Sequence, residues 1–297
     1  MSALRDALFT SSLASGMLAR STFPSNDHLH CAVPGGADSL VLLMLACRTE
    51  RPVTAWHVDH GLRDNTANEY HFVRQVAESL NATVELRTVH IGPGANLEAR
   101  AREARFAVLP GDVLTGHTAD DQAETTLINL LRGAGTAGLA GMRRDHHPLL
   151  GLRRSETRQL CAALGVLPLH DPMNDESRFQ RIRVREELMP LLVDISKRDI
   201  VDVLVRQAEL LRDDDDLLDE LAAMIDVTDA RALSAVPIAL ARRAVRQWLA
   251  NPLPPDASTI ERVLAVARGD AAGCDVGAGR QVRRSRQRLG LHDNRVL

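Results

Sequence analysis

Residues 29–47, LHCAVPGGADSLVLLMLAC, decide how the rest of the chain reads. An apolar run meets a Gly-Gly pair, and a helix-forming run then opens on Asp38 and Ser39, so the stretch predicts a strand, a tight loop and a helix. Gly35 and Gly36 let backbone N–H groups turn inward with no Cβ in the way, and the first N–H groups of the helix add a positive dipole end. A loop running from Pro34 through Gly35, Gly36 and Ala37 to Asp38 and Ser39 therefore suits a phosphate. It is not the GxxxxGK[ST] loop, since no lysine lies in it, and no GxGxxG fingerprint is present. A glycine turn capped by Asp38 or Ser39 is the plain structural alternative.

Working outward, VTAWHVDHG (53–61) and TVELRTVHI (83–91) predict two more strands, and DVLTGHT (112–118) a fourth. Helical patterns fill the intervals at 66–80, 96–109 and 119–132, and PLLGL (148–152) reads as a further strand. Ser155 and Gly165 bracket a short helix, while residues 2–20 predict a leading one. Alternation of this kind implies an α/β fold with a parallel sheet, whose ligands bind at the carboxyl ends of the strands. The Gly-Gly loop, the string His57-Val-Asp59-His60-Gly61 and the pair Gly116-His117 all fall at such ends. From about residue 194 the strand signal stops. Long helical patterns follow at 199–225 and 237–250, then a capping box from Ser258 to Glu261. The closing GAGRQVRRSRQRLGL reads as a basic hairpin or tail. The division expected is 1–193 for the sheet domain and 194–297 for a smaller, mainly helical one.

A chain of 297 residues has room for two such domains. Hydrophobic residues make up 45% of it, yet no apolar run approaches the ~20 residues of a membrane span, and no basic-then-apolar leader is evident. The expectation is a cytoplasmic protein. Four scattered cysteines without a CxxC suggest neither a disulfide framework nor zinc, and read as buried thiols. The net charge of −3 argues against wholesale attraction to nucleic acid, but arginines cluster at 178–185 and 280–288. Lys197 is the only lysine among the 36 basic residues and lies far from every motif, which argues against lysyl covalent chemistry.

Gly-Gly-Ala-Asp-Ser (35–39) resembles the SGGxDS loop of the PP-loop ATP pyrophosphatases, with Pro34 in place of Ser. Further strings extend the likeness: His57-Val-Asp-His-Gly-Leu-Arg63, Gly116-His-Thr-Ala-Asp-Asp-Gln-Ala-Glu-Thr125, Arg132-Gly-Ala-Gly-Thr-Ala-Gly-Leu139, and Asp171-Pro-Met-Asn174 followed by Arg181, Arg183 and Arg185. In this order they are similar to the tRNA(Ile)-lysidine synthase family, in a short form. The resemblance implies a PP-loop domain that uses ATP to adenylate the wobble cytidine of a CAU anticodon. The amine of free lysine then displaces AMP. It also implies a smaller helical domain that binds tRNA.

On this reading Asp38 holds Mg²⁺ against the phosphates, because hard cations prefer carboxylate oxygen, and doubles as a helix cap. Asp121 orients the lysine ammonium or assists the metal, or else serves the helix dipole. His60, followed by Gly61, contacts ATP or the adenylated base, and Gly116 and His117 line the nucleotide. Arg183 joins Asp38, Asp121 and His60 as a catalytic candidate. Arg132, Arg181 and Arg185, with Arg283, Arg284 and Arg286 in the tail, are candidates for tRNA contact. The alternation of Arg181, Arg183 and Arg185 predicts an extended segment that puts all three on one side. Ile182 stands where the family has Asn. The reading allows a homodimer. Rival readings are another PP-loop tRNA modifier, such as a thiolase, which needs a reactive cysteine absent from the pattern, and a non-catalytic RNA-binding protein whose loop Pro34 has disabled.

Overall fold

The computed structural model describes residues 3–59, 66–89, 97–169, 179–251 and 253–293. His60, Gly61 and the Asp171–Asn174 string lie outside the described residues. The chain divides into two compact units, Met1–Ala208 and Glu209–Leu297. Their boundary falls inside a 24-residue helix rather than in a linker, C-terminal of the division at 193/194 expected from the loss of strand signal.

The first unit is built on three parallel strands in the order β1 (Leu29–Ala32), β2 (Val53–Asp59) and β3 (Thr83–Thr88). Cys31 sits opposite Ala55, which sits opposite Val84. Before them come α1 (Ala3–Thr10) and α2 (Ser12–Ala19), two helices rather than the single leading helix the sequence suggests. Ser11 separates them: its hydroxyl accepts from Ala14 N at 3.2 Å and so restarts the helix. Between the strands run α3 (Ala37–Cys47) and α4 (Thr66–Ser79), with α5 (Leu97–Ala107) after β3. Every residue of α3 from Ser39 to Cys47 is buried. That follows from a run with no polar face, which can only be a core helix. It packs on α2, β1, β2 and a later helix, α8 (Arg154–Ala163). Each fully buried leucine there contributes about 1.5–3 kcal/mol relative to exposure.

Two predicted strands are absent, each for a visible reason. Within 112–118 only Leu114 bridges to Cys31; beyond it Thr115 N turns to the His146 carbonyl at 2.8 Å, and Ala119 N to that of Leu152 at 2.8 Å. The chain thus leaves the sheet just where it enters the site. In 148–152 the leucines are buried, but the backbone folds on itself in tight turns, with Leu152 N bonded to Leu149 O at 2.9 Å. An apolar run of that length serves a buried turn as well as a strand.

Next come α6 (Ala119–Leu131), α7 (Thr136–Leu139), α8, α9 (Phe179–Arg183), a π-helical turn (Val184–Leu188) and α10 (Met189–Ser196). The extended segment expected at 181–185 is therefore helical. The long α11 (Ile200–Ala223) leads into the second unit, which holds α12 (Ala230–Ala235), α13 (Ile238–Trp248), α14 (Ala257–Arg268) and an antiparallel sheet of β4 (Gly273–Gly277), β5 (Arg280–Ser285) and β6 (Arg288–Asp293). Its core joins Val245, Val263 and Val266 to Val282 and Leu289. The basic tail is thus a hairpin, with one strand more than expected. Two helix starts also differ from expectation. Asp256, not Ser258, caps α14 by accepting from Thr259 N at 2.7 Å. At α8 the cap position is Arg153, not Ser155, and Glu156 accepts from Arg153 N at 2.8 Å.

Candidate active site

The loop after β1 is held by its own backbone. Val33 N donates to Trp56 O at 2.8 Å, and the buried His57 donates through Nδ1 to the Val33 carbonyl at 2.9 Å. His57 is thereby a structural bolt, as a buried ring with one carbonyl partner commonly is. Gly35 adopts φ 109°, the left-handed side that a Cβ resists, and Leu169 lies where that Cβ would go. Its N–H points to Ser39 Oγ at 3.3 Å. No side chain caps the amino end of α3 at Gly36, so the first N–H groups of that helix are left for a ligand or water. Gly116 lies against this end: a Cβ on it would stand 2.6 Å from the Asp38 carbonyl oxygen. Glycine there permits the strand-end chain to touch the helix.

Beyond the loop, α3, α6, α8 and α9 deliver charges to one place. Asp38 accepts a hydrogen bond from the Thr157 hydroxyl, and Arg154 Nε stands 3.7 Å from its other oxygen. Arg154 also binds Asp121 at 2.7 Å and Glu124 at 3.2 Å. Glu124, 1% exposed, takes Arg181 Nε at 2.8 Å and Arg185 Nε at 2.8 Å as well. Asp121 accepts from both the backbone N–H and the hydroxyl of Thr118 at 2.9 Å. Three carboxylates meet three guanidinium groups, a balance that lets the charges be buried at all. The helical form of 179–188 has the same cause: Arg181 and Arg185, four residues apart, reach one buried glutamate, and Arg183 is left pointing away to an exposed pair with Glu187 at 2.9 Å.

The two aspartates are shifted in opposite directions. Burial pushes the Asp38 carboxyl up to about 6; the Thr157 hydrogen bond lowers it, the negative Asp121 raises it and Arg154 lowers it again. Burial works upward on Asp121 too, but Arg154, His117, the Thr118 N–H and Arg181 together overcome it and hold it at about 2. Asp121 is the fixed anion; Asp38 is the adjustable one.

Among the described residues, the structure brings together Pro34–Ser39, Gly116, His117, Asp121, Arg181 and Arg185 within the first unit. His117 shares the Thr115 hydroxyl with His147, Nδ1 to Oγ1 distances being 2.7 and 2.6 Å. Arg132 ends α6 and reaches Gln180 at 3.3 Å. Arg283, Arg284 and Arg286 belong to the second unit: Arg283 lies on Gln281 at 3.1 Å, Arg284 bonds Gln287 at 2.5 Å, and Arg286 sits in the hairpin turn at φ 48°. Sequence reasoning missed Arg154 and Thr157, and left Glu124 without a role. Glu124 had a signal, lying one turn from Asp121 on the same helix face. Arg154 had none beyond its arginine neighbour. Beside the cluster opens a groove of ≈ 680 Å³ whose lining includes Asp120, Glu124, Arg153, Met189 and Ile200. No three His, Cys, Asp or Glu side chains among the described residues are grouped so as to hold a metal alone.

A parallel sheet whose first strand opens through a Gly-Gly loop into a buried helix with an uncapped amino end defines a PP-loop nucleotide-binding protein, and residues 12–192 match the PP-loop domain family. Residues 229–290 match the TilS substrate binding domain. The tRNA(Ile)-lysidine synthase of Mycobacterium leprae is 42% identical over 76% of this chain and 76% of its own, and that of Nocardia farcinica 39% identical over 84% and 85%. The chain belongs to the tRNA(Ile)-lysidine synthase family. Among solved structures, the U34-tRNA thiolase NcsA of Methanococcus maripaludis, with its [4Fe-4S] cluster, shares the fold at a TM-score of 0.54 and 18% identity, covering 71% of this chain and 80% of that one. Here Cys31 and Cys47 are buried, with the Cys47 thiol pushed up to about 12 by burial and Cys161 to about 11. Thiols in that state are poor nucleophiles.

Proposed function

We propose that this chain, in the cytoplasm, adenylates the wobble cytidine of the CAU anticodon of tRNA(Ile) with ATP and then lets the amine of free L-lysine displace AMP to form lysidine. A bond forms between cytidine and the α-phosphorus as the α–β phosphate bond breaks; pyrophosphate leaves first and AMP second. The observation that carries this reading is the pairing in one chain of the PP-loop domain with the TilS substrate binding domain, at about the same identity to named synthases over most of the length. Residues 1–193 are read as the catalytic domain and 194–297 as the tRNA-binding one, and a homodimer is compatible with this. A loop disabled by Pro34 is not favoured: Pro34 is exposed, and the amino end of α3 is open without it.

Within this reading the uncapped N–H groups of α3 receive the leaving pyrophosphate, and Gly35 and Gly116 keep side chains out of its path. Asp38 suits Mg²⁺, being a hard oxygen donor beside that anion site and only loosely paired with Arg154; Mg²⁺ commonly takes one or two carboxylates and completes its shell with phosphates and water. When bound, the ion supplies charge neutralisation for the phosphates. Asp121 fits a metal less well, because both Thr118 donors and Arg154 already occupy it. Its fixed negative charge, with Glu124, suits the lysine ammonium. Arg181 pairs with both of those acids and Arg185 with Glu124, while Arg132, Arg183, Arg283, Arg284 and Arg286 are read as meeting tRNA phosphates or stacked bases. Incubation with tRNA(Ile), ATP, Mg²⁺ and labelled lysine tests the reading: it expects label on the wobble cytidine.

A further inference from the structure

We infer that Thr157 is a positioning residue for Asp38, setting the plane of its carboxylate from a neighbouring helix; this rests on the reading of Asp38 as the metal-facing acid. The first ground is pattern. The buried residues of α8 are Thr157, Leu160 and Cys161, the i, i+3, i+4 stripe of an apolar helix face, and Thr157 is 0% exposed. Packing alone calls for an aliphatic residue there, since a buried hydroxyl costs free energy unless it is bonded. The second is geometry. Thr157 Oγ1 contacts both Asp38 Oδ1 and, at 2.8 Å, the Arg154 carbonyl oxygen. A hydroxyl has one proton for these two acceptors, and an ionised carboxylate is the stronger. The proton therefore goes to Asp38.

The arrangement fixes one oxygen of Asp38 and holds the other 3.7 Å from Arg154 Nε, too far for a close ion pair. Without the hydroxyl, the carboxylate turns toward the guanidinium groups that already act on it, Arg154 at 3.7 Å and Arg158, which takes it out of reach of a cation. Arg154 itself is held by Asp121 and Glu124 and does not follow. Thr157 thus keeps Asp38 from being neutralised by its own site.

The test is a cycle of variants in the full chain. Binding of Mn²⁺ to the protein–ATP complex is measured by electron paramagnetic resonance without tRNA or lysine, alongside the Mg²⁺ concentration that half-saturates pyrophosphate release. Thr157→Val should weaken both by about tenfold, with the affinity for metal-free ATP unchanged, and Thr157→Ser should return both to within about twofold of the parent. In an Asp38→Asn background, Thr157→Val should add nothing. Parental metal affinity in Thr157→Val, no recovery in Thr157→Ser, or an effect that persists beside Asp38→Asn overturns the inference. Asp38→Asn with undiminished metal affinity overturns the assignment of Asp38 itself, a separate failure. If Thr157→Val does not fold, Thr157→Ala carries the same expectations.

Discussion

Two aspartates a few ångströms from the same arginine are driven in opposite directions, and that opposition is measurable. Asp121 is held at about 2, below its ordinary value near 3.9, so it adds stability at every pH above that range and loses it as pH falls toward 2. That contribution is fully present at neutral pH. Asp121→Asn should lose it at pH 7, flatten the acid limb of the denaturation midpoint, and abolish lysidine formation. Asp38, raised to about 6, works the other way: ionising it costs stability as pH climbs from about 4 to 6. Without Mg²⁺, Asp38→Asn should therefore melt above the parent at pH 7.5 and level with it near pH 3.5. Equal melting at both values would mean that the Asp38 carboxylate pays nothing for burial. Pro34 poses a separate question. Lacking N–H and hydroxyl, it removes up to two donors relative to Ser, each worth roughly 1.5–3 kcal/mol on a charged oxygen. Pro34→Ser should raise the rate of pyrophosphate release by at least about tenfold if those donors act in the transition state. The open end of α3 already supplies N–H groups, and a rate no higher than the parent's would assign the work to them. Motif spacing made Asp38 and Asp121 legible; the opposite directions of their shifts depend on burial around Asp38 and on Arg154 beside Asp121, and Arg154 lies more than thirty residues further along the chain.

Elements were legible where periodicity and burial agreed, and less so where a backbone path served the site. The Gly-Gly loop and α3 stand where the sequence puts them, because a run apolar on all sides has nowhere to go but the core. The 112–118 segment reads as a strand and bridges the sheet at Leu114 alone, since Gly116 must bring the chain onto α3. Gly116→Ala should cost about 1–3 kcal/mol through overpacking against backbone that cannot yield, and should impair ATP binding before stability fails. The 181–185 segment misleads for a different reason: alternation of arginines looks extended, but a buried glutamate on α6 selects two of them at helical spacing. Removing it leaves three guanidinium groups around an empty centre. Glu124→Ala should destabilise by about 3 kcal/mol in chemical denaturation. A change under about 1 kcal/mol would mean that the arginines re-pair with Asp120 and Asp121.

At the scale of the whole molecule, the loss of strand signal near residue 194 announced a second unit, but a continuous helix carries the chain across the structural boundary and hides it from composition. The three-stranded sheet of the second unit was half legible: the Gly277–Gly279 turn and the alternation after it marked the basic hairpin of β5 and β6, whereas β4 lies in a stretch with no alternation. Net charge is a poor guide here, as the basic hairpin coexists with an acidic total. Replacing Arg283, Arg284 and Arg286 together by Ala should weaken tRNA binding and flatten its salt dependence, leaving ATP binding nearly unchanged. Collapse of ATP affinity in that variant would place the hairpin in the nucleotide site instead. The measurement that bears most directly on the central claim is mass spectrometry of tRNA(Ile) bearing a CAU anticodon after incubation with the protein, ATP, Mg²⁺ and isotopically labelled lysine, with pyrophosphate counted in parallel. The account predicts labelled lysine on the wobble cytidine with one pyrophosphate released per lysidine, and none of either without tRNA. An unmodified wobble cytidine beside an intact, ATP-binding protein would contradict it.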